Sequence, residues 1–184
     1  MIHKLGLLIE FILLNYKYFF SLSRFQTIKK EKYIYRSYRT TDFQKIHALY
    51  RNYNKGRNFH HSLHFLLRLM GTRYCIVIEN DLDIIGFTIY YFTKRDVTEK
   101  TIHEGYICTT VQGQGLGSAL RLHAMQHWKK LRIHGVSSRV SLSNKESLIG
   151  NLNLGFKVVD HYVDQQMNEE RVYLKIEFDN MEMK

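Results

Sequence analysis

Apolar and polar positions divide the chain into a long apolar segment at its start and an alternating pattern after it. Residues 5–25 are almost wholly apolar, while His3, Glu10, Lys17 and Arg24 recur every seven positions. On a helix of 3.6 residues per turn, this spacing keeps the polar side chains within a sector of about 60°. A helix with so narrow a polar edge must bury its wide apolar face against lipid or protein.

Several environments could cover the apolar face of this helix. A membrane-spanning helix would have to bury Glu10 and Lys17, each at a cost of about 2.5–3.5 kcal/mol at the bilayer centre, so spanning is disfavoured. A helix lying at a membrane surface is favoured by the basic residues Lys4, Lys17, Arg24, Lys29, Lys30 and Lys32. Docking on a partner, on this protein's own domain or at a homodimer interface satisfies the same pattern. No small-residue cleavage site follows, so a cleaved secretory signal is not expected.

The pattern changes after the basic run at 29–32, and we expect an N-terminal helix at 1–30 followed by one domain at 31–180. Alternating or short apolar runs predict strands at 33–39, 74–79, 84–92, 101–109, 136–142, 157–164 and 171–178. Helical spacing of apolar residues predicts helices at 43–50, 63–70, 116–131 and 144–153. This order predicts a mixed α/β sheet with helices on its faces.

A glycine-rich loop joins the strand predicted at 101–109 to the helix predicted at 116–131. It reads Gln112-Gly113-Gln114-Gly115-Leu116-Gly117-Ser118. Glycines remove the Cβ atoms that would keep a ligand from the backbone, and a helix start offers free N–H groups and a positive dipole end. The loop therefore predicts phosphate binding. It lacks the lysine of a Walker-type loop, and its spacing departs from the dinucleotide fingerprint.

Charge and cysteine content narrow the partners. The chain carries 27 Lys and Arg against 17 Asp and Glu, a net charge of +10, which favours anionic partners. No recognition helix or base-stacking motif accompanies this charge, so nucleic acid is disfavoured relative to lipid or a phosphorylated small molecule. Cys75 and Cys108 lie in apolar runs, which predicts buried thiols in a reducing, cytoplasmic compartment.

A histidine-rich stretch, His60-His61-Ser62-Leu63-His64, has the i, i+4 spacing of two helical metal ligands. A zinc protease helix would need Glu where His61 stands. We therefore expect a solvated helix face or the rim of an acceptor pocket, and no metal.

Two segments together resemble the GCN5-related N-acetyltransferases (GNAT). The run from Gln112 to Gly117 is similar to the family's pyrophosphate loop, in which Gln or Arg is followed by x-x-Gly-x-Gly or Ala. Ile107 and Thr109 hold the places of a Val and a Pro before that loop. Asn144 precedes Gly155-Phe156 at the family's distance. The resemblance covers about residues 33–178.

The resemblance implies a mixed, mostly antiparallel sheet that is splayed around an acyl-CoA cleft, between the strands at 101–109 and 136–142. It implies acetyl-CoA as acyl donor and a primary amine as acceptor: a small amine, an amino sugar or a protein amine. A non-catalytic acyl-CoA-binding regulatory module is the alternative. Coenzyme A would contact Ile107, Cys108, Thr109, Gln112, Gly113, Gln114, Gly115, Leu116, Gly117, Ser118 and Asn144, with Arg121, Lys129 or Lys130 as candidates to screen a nucleotide phosphate.

Amine acylation needs a neutral amine and a proton for the departing thiolate. His103 is the first candidate for the base, because the imidazole pKa lies near 6.5 and several family members that look like arylalkylamine acetylators carry a histidine at this strand position. Glu104 is the alternative, and a structural His103 is as well supported as a catalytic one. Strand alternation predicts that Ile107 shares the face of His103 and that Tyr106 shares the face of Glu104, unless a β-bulge intervenes.

One position departs from the family pattern. Asn151 stands where the family usually carries a tyrosine that protonates the thiolate, and an amide cannot supply a full proton at neutral pH. Another acid such as Tyr162 or Tyr173, proton transfer through solvent, or loss of activity would have to follow.

Overall fold

Eight strands form one mixed sheet in the order β1-β2-β3-β4-β5-β6-β8-β7. The computed structural model describes residues 2–81, 83–165 and 167–178. Every neighbouring pair is antiparallel except β5 and β6, which run parallel. The strands are β1 (Ile28–Lys30), β2 (Tyr33–Ser37), β3 (Cys75–Glu79), β4 (Ile84–Tyr91), β5 (Thr101–Thr109), β6 (Gly135–Ser141), β7 (Lys157–Asp164) and β8 (Glu169–Glu177). The mostly antiparallel sheet predicted from the sequence is confirmed.

Helices cover both faces of the sheet. They are α1 (Ile2–Phe19), α2 (Phe43–Tyr53), α3 (His61–Tyr74), α4 (Lys94–Glu99), α5 (Leu116–Lys130) and α6 (Lys145–Asn153), and a 3₁₀ turn at Thr40–Asp42 precedes α2. On one face of the sheet, the Trp128 ring of α5 packs edge-on against the Tyr90 ring of β4. On the other face, Tyr50 of α2 contacts Tyr106 of β5. The sequence analysis did not predict β1 or α4, both of which are short.

A β-bulge in β5 changes which side chains share a face. Tyr90 of β4 lies opposite Glu104, but the next residue back, Ile89, lies opposite Tyr106, so Gly105 is an extra residue. The alternation restarts after Gly105. Tyr106 therefore shares the face of His103, and Ile107 shares the face of Glu104. The regular alternation expected from the sequence is wrong beyond Glu104, for this reason.

Helix α1 docks on the rest of the chain through hydrogen bonds of Asn15 as well as through its apolar side. Asn15 is fully buried; its amide donates to the Phe92 carbonyl at 3.1 Å, and the Phe92 N–H donates to its Oδ1 at 2.7 Å. The Tyr74 hydroxyl of α3 donates to the Asn15 carbonyl at 2.7 Å. Of the settings expected for this helix, docking on its own domain is observed. In the described part of the chain, no helix is both long and apolar enough to cross a bilayer.

Candidate functional site

A cleft opens where β5 and β6 part. The two strands pair from Thr101 opposite Gly135 to Glu104 opposite Ser138, and their pairing ends there. Beyond that point β5 stays paired with β4 as far as Thr109, and β6 stays paired with β8 as far as Ser141. A cleft of about 720 Å³ adjoins this opening, within the usual range of small-molecule sites, and is lined by the end of β5, the glycine loop, the start of α5, helix α6 and the end of α2.

The glycine loop forms one wall of this cleft in a conformation that depends on glycine. Gly113 has φ of +74° and Gly115 has φ of +68°, in the left-handed region where a side chain is strained. A Cβ added at either position would meet no atom within 4 Å. The backbone is thus open toward the cleft, and Gly115 is the N-cap of α5, whose first N–H groups have no partner within the helix. These features fit an anionic ligand such as a diphosphate.

The structure brings together almost all residues that the sequence nominated for coenzyme A. The cleft is lined by Ile107, Cys108, Thr109, Gln112, Gly113, Gly115, Leu116, Gly117, Ser118 and Asn144. Gln114 lies outside this lining, and its Oε1 accepts a hydrogen bond from the Tyr33 hydroxyl at 2.7 Å. Asn144 is also the N-cap of α6, because its side chain accepts from the Ser147 N–H at 3.2 Å.

Glu104 is held in a buried ion pair at the floor of the cleft. Arg121 of α5 donates from Nε to both carboxylate oxygens at 3.0 Å and from Nη2 to Oε1 at 2.8 Å. The Tyr90 hydroxyl lies 3.4 Å from Oε2. Arg121 itself lines the cleft, but its charge is neutralised by Glu104. Lys129, the second candidate for phosphate screening, donates to the Phe178 carbonyl at 3.4 Å.

His103 lies in the closed part of the sheet, behind the cleft. Its Nδ1 is 2.6 Å from the Ser137 hydroxyl, which is 2.6 Å from Oδ1 of the buried Asp96. Because an ionised carboxylate only accepts, Ser137 donates to Asp96 and accepts from His103. Burial lowers the pKa of His103 to about 4, although Asp96 opposes the shift. The imidazole is therefore neutral at neutral pH and serves a polar network.

Asn151 and the two tyrosines considered as alternative acids are not among the residues that line the cleft. Asn151 is fully buried in α6, and its amide donates to the Ser147 carbonyl at 2.8 Å. Tyr173 is buried against His103, with ring centroids 6.2 Å apart and nearly parallel planes, and the Arg95 guanidinium lies 4.0 Å from its ring. Tyr162 lies on β7, at the edge of the sheet.

Tyr106 is a cleft residue that sequence reasoning missed. Its side chain lines the cleft next to Ile107, and its hydroxyl accepts a hydrogen bond from the Asn54 amide at 2.7 Å. Regular alternation places it on the face of Glu104. The only signal in the sequence was Gly105, because a glycine inside a strand pattern can mark a bulge.

The histidine-rich stretch begins α3. The His60 side chain accepts from the Ser62 N–H at the start of the helix, and the His64 ring meets Phe43 edge-on at 4.9 Å. Within the residues that the structure describes, no three His, Cys, Asp or Glu side chains are grouped so as to hold a metal ion.

A mixed sheet that opens between two parallel strands, beside a glycine loop at a helix start, is the arrangement that the resemblance to the GNAT family implied. The model of the acetyltransferase (GNAT) family matches residues 40–156. The chain therefore belongs to this family and is an acyltransferase of the N-acetyltransferase type. It has no match among curated proteins.

Solved structures with the same fold include proteins from bacteria and from a plant. The ribosomal-protein-S18-alanine N-acetyltransferase of Escherichia coli is 18% identical, with a TM-score of 0.64 over 81% of this chain and 98% of that one. Diaminobutyrate acetyltransferase EctA of Paenibacillus lautus, solved with its substrate and coenzyme A, is 18% identical, with a TM-score of 0.63 over 77% and 93%. Arabidopsis thaliana Naa50, in complex with a bisubstrate analogue, is 12% identical, with a TM-score of 0.67 over 80% and 99%.

Proposed function

We propose that this protein transfers an acetyl group from acetyl-CoA to a primary amine. The observation that carries the proposal is the open glycine loop at the start of α5, which lies in one cleft with the half of β5 that has no partner on the β6 side. In this arrangement the N–H groups around residues 112–118 bind the diphosphate. The pantetheine arm lies beside Ile107 and Thr109 as an added strand, and Asn144 contacts it from α6.

The acceptor enters from the end of the cleft formed by α2, where Tyr53 and Asn54 line it. A small amine, an amino sugar and a protein amine are the classes proposed. Two of these classes occur among the solved structures with this fold, since one enzyme takes the small amine diaminobutyric acid and another acts on a ribosomal protein alanine. We place the protein in the cytoplasm because both of its cysteines are free and buried, as is usual in a reducing compartment.

His103 and Glu104 stay the two proposed bases. His103 is supported by its neutral imidazole, and Glu104 by its contact with the cleft residue Arg121. Measuring kcat for His103→Gln and Glu104→Gln separates them. The base is the residue whose replacement lowers kcat while the affinity for coenzyme A is retained; equal losses of kcat and affinity indicate damage to the fold.

A regulatory module that binds acyl-CoA without turnover is the second candidate. It is favoured by Asn151, which is buried and bonded to its own helix. Release of free thiol from acetyl-CoA should be followed with diaminobutyrate, glucosamine and a peptide with N-terminal alanine. Turnover with any of them supports the transferase. Binding of acetyl-CoA without turnover across a wide amine panel supports the module, and absence of binding contradicts both.

We also propose that α1 contacts an anionic membrane surface. The outer side of this helix carries four exposed apolar or aromatic residues within one sector of about 80°: Leu5, Ile9, Leu13 and Tyr16. The exposed Lys17 lies beside this sector. Apolar side chains beside basic ones are typical of interfacial helices. Vesicles containing phosphatidylserine should sediment the wild-type protein but not Leu13→Ser, with Val163→Ser on β7 as an exposed apolar control. A dimer in solution that Leu13→Ser dissociates would assign this surface to a second copy instead.

A further inference from the structure

Tyr106 is the first side chain of β5 past the bulge, where the strand no longer pairs with β6. It is therefore at the closed end of the cleft, whereas the glycine loop is at the open end. If the proposed function holds, an arm that starts at the glycine loop and follows Thr109 and Ile107 reaches Tyr106 last. The reacting end of a thioester donor would lie beside this phenol.

The Tyr106 ring is fixed by its neighbours. It packs between the ring of Tyr50, with centroids 4.6 Å apart, and the ring of Phe87, with centroids 5.6 Å apart. Helix α2 and strand β4 thus hold the ring from two sides. The hydroxyl has little freedom other than rotation about its own C–O bond.

Asn54 determines which way the Tyr106 proton points. The Asn54 amide nitrogen donates to the Tyr50 carbonyl at 3.2 Å, and a carbonyl can only accept. The same nitrogen lies 2.7 Å from the Tyr106 hydroxyl, so the amide donates there too. The phenol oxygen is an acceptor in this bond, and its own proton is free for a ligand in the cleft. Burial raises the pKa of Tyr106 well above its usual value, so the phenol keeps this proton at neutral pH.

We propose that the Tyr106 hydroxyl donates a hydrogen bond to the coenzyme A sulfur as it departs, and that Asn54 positions this hydroxyl. In the reaction, the amine nitrogen bonds to the acetyl carbonyl carbon, and the carbon–sulfur bond breaks with its electron pair on sulfur. The nitrogen loses its proton to the base, and the base passes a proton through solvent to the sulfur. Tyr106 keeps its own proton and stabilises the developing thiolate, because a hydrogen bond to a charged acceptor is stronger than one to a neutral acceptor.

A double-mutant-type cycle tests this proposal: it removes the Tyr106 hydroxyl from the protein and the sulfur from the ligand, singly and together. It needs no amine substrate. Calorimetry at pH 9 should give the dissociation constants of coenzyme A and of desulfo-coenzyme A, in which hydrogen replaces the thiol. The wild type should prefer coenzyme A about tenfold, as expected for a hydrogen bond to a charged group. Tyr106→Phe should lose this preference and bind desulfo-coenzyme A within about twofold of wild type, since the deleted bond involves only the sulfur.

Asn54→Asp provides a second variant, because its carboxylate would accept the Tyr106 proton and turn it away from the cleft. It should also lose the preference, whereas Tyr16→Phe on the outer side of α1 should keep it. A preference that persists in Tyr106→Phe, or an equal loss of affinity for both ligands, would overturn the role of Tyr106 and leave the proposed function standing. If the wild type bound neither ligand, the proposed function would fail, and this proposal with it.

Discussion

The two halves of strand β5 have opposite character. Residues 101–104 all pair with β6, and His103 and Glu104 also pair with β4. These two carry titratable side chains in buried networks, Glu104 with Arg121 and His103 with Ser137 and Asp96. Residues 106–109 pair on one side only and face a cleft. Gly105, the bulge, separates them.

This difference shows where charge can be kept and where a ligand can enter. Buried ionised groups need partners that are already in the protein, so the closed half uses its charges internally. The open half offers backbone with no partner on the β6 side and neutral side chains, which suit an arm that carries amides. Under the proposed function we therefore expect binding to depend on this backbone, while the charged residues of the closed half hold the floor of the cleft in place.

The largest effect is expected from breaking the ion pair of the closed half. Glu104→Leu or Arg121→Leu leaves one buried charge without its partner and should lower the free energy of unfolding by about 3–5 kcal/mol. Urea unfolding measures this loss. The double variant should be clearly less destabilised than the sum of the two single ones. Additive losses would mean that the pair is not coupled, contrary to the bidentate geometry.

The second-largest effect is expected from acid, which should lower the free energy of unfolding through His103 in the closed half. Burial lowers the pKa of His103 to about 4 in the folded state, against about 6.5 when unfolded. Above pH 6.5 both states are neutral, so the effect is absent. As the pH falls from 6.5 to 4, only the unfolded state binds the proton, and stability drops by up to about 3 kcal/mol. Besides Asp96, Arg139 influences this titration.

Unfolding in urea at pH 7, 6, 5 and 4 measures this dependence. His127 and His123 also have pKa values lowered chiefly by burial, so some acid sensitivity will survive in any single variant. His103→Asn should nevertheless show a shallower fall than wild type between pH 6.5 and 4. Parallel curves would show that His103 titrates normally in the folded protein.

A smaller effect is expected at the boundary between the halves. A Cβ on Gly105 would lie 2.0 Å from Cε1 of Tyr91, so Gly105→Ala should displace the Tyr91 ring and cost about 1–3 kcal/mol. Gly117→Ala is the control, since its nearest atom is 4.0 Å away and the position is helical. Thermal unfolding should show a lowered Tm for the first variant and an unchanged or raised Tm for the second.

The smallest change in stability, with a specific loss of binding, is expected in the open half. Gly115 and Gly56 both have positive φ and open space around an added Cβ, so alanine at either should cost about 1–2 kcal/mol of stability. Only Gly115 lies in the cleft loop. Calorimetry should show at least tenfold weaker acetyl-CoA binding for Gly115→Ala and unchanged binding for Gly56→Ala. Equal affinities for acetyl-CoA in the two variants would contradict the prediction that the glycine loop binds this ligand.

The open half was predictable from the sequence because its signal is a spacing of glycines between a strand and a helix. Gly113 and Gly115 adopt the left-handed backbone that glycine alone adopts readily, and this requirement is visible in the chain itself. The strands and most helices were predictable for a similar reason, since their apolar periods are local.

Contacts between distant segments were not predictable. The bulge at Gly105 depends on how β5 registers against β4, and it moved Tyr106 to the face of α2, 52 positions away in sequence from Asn54. Candidate bases were chosen by residue type, and only the fold shows that Glu104 meets Arg121 and that His103 meets Ser137. The short α4 carries no apolar period, but its capping pair, Thr93 and Asp96, was a local signal that could have been used.

The most direct test of the account is a crystal structure of the protein with coenzyme A. The account predicts the diphosphate within about 3 Å of backbone nitrogens between Gly113 and Ser118, as for ordinary hydrogen bonds, and the pantetheine amides alongside Ile107 and Thr109. A coenzyme A molecule bound elsewhere, or a diphosphate held only by lysine and arginine side chains, would contradict it.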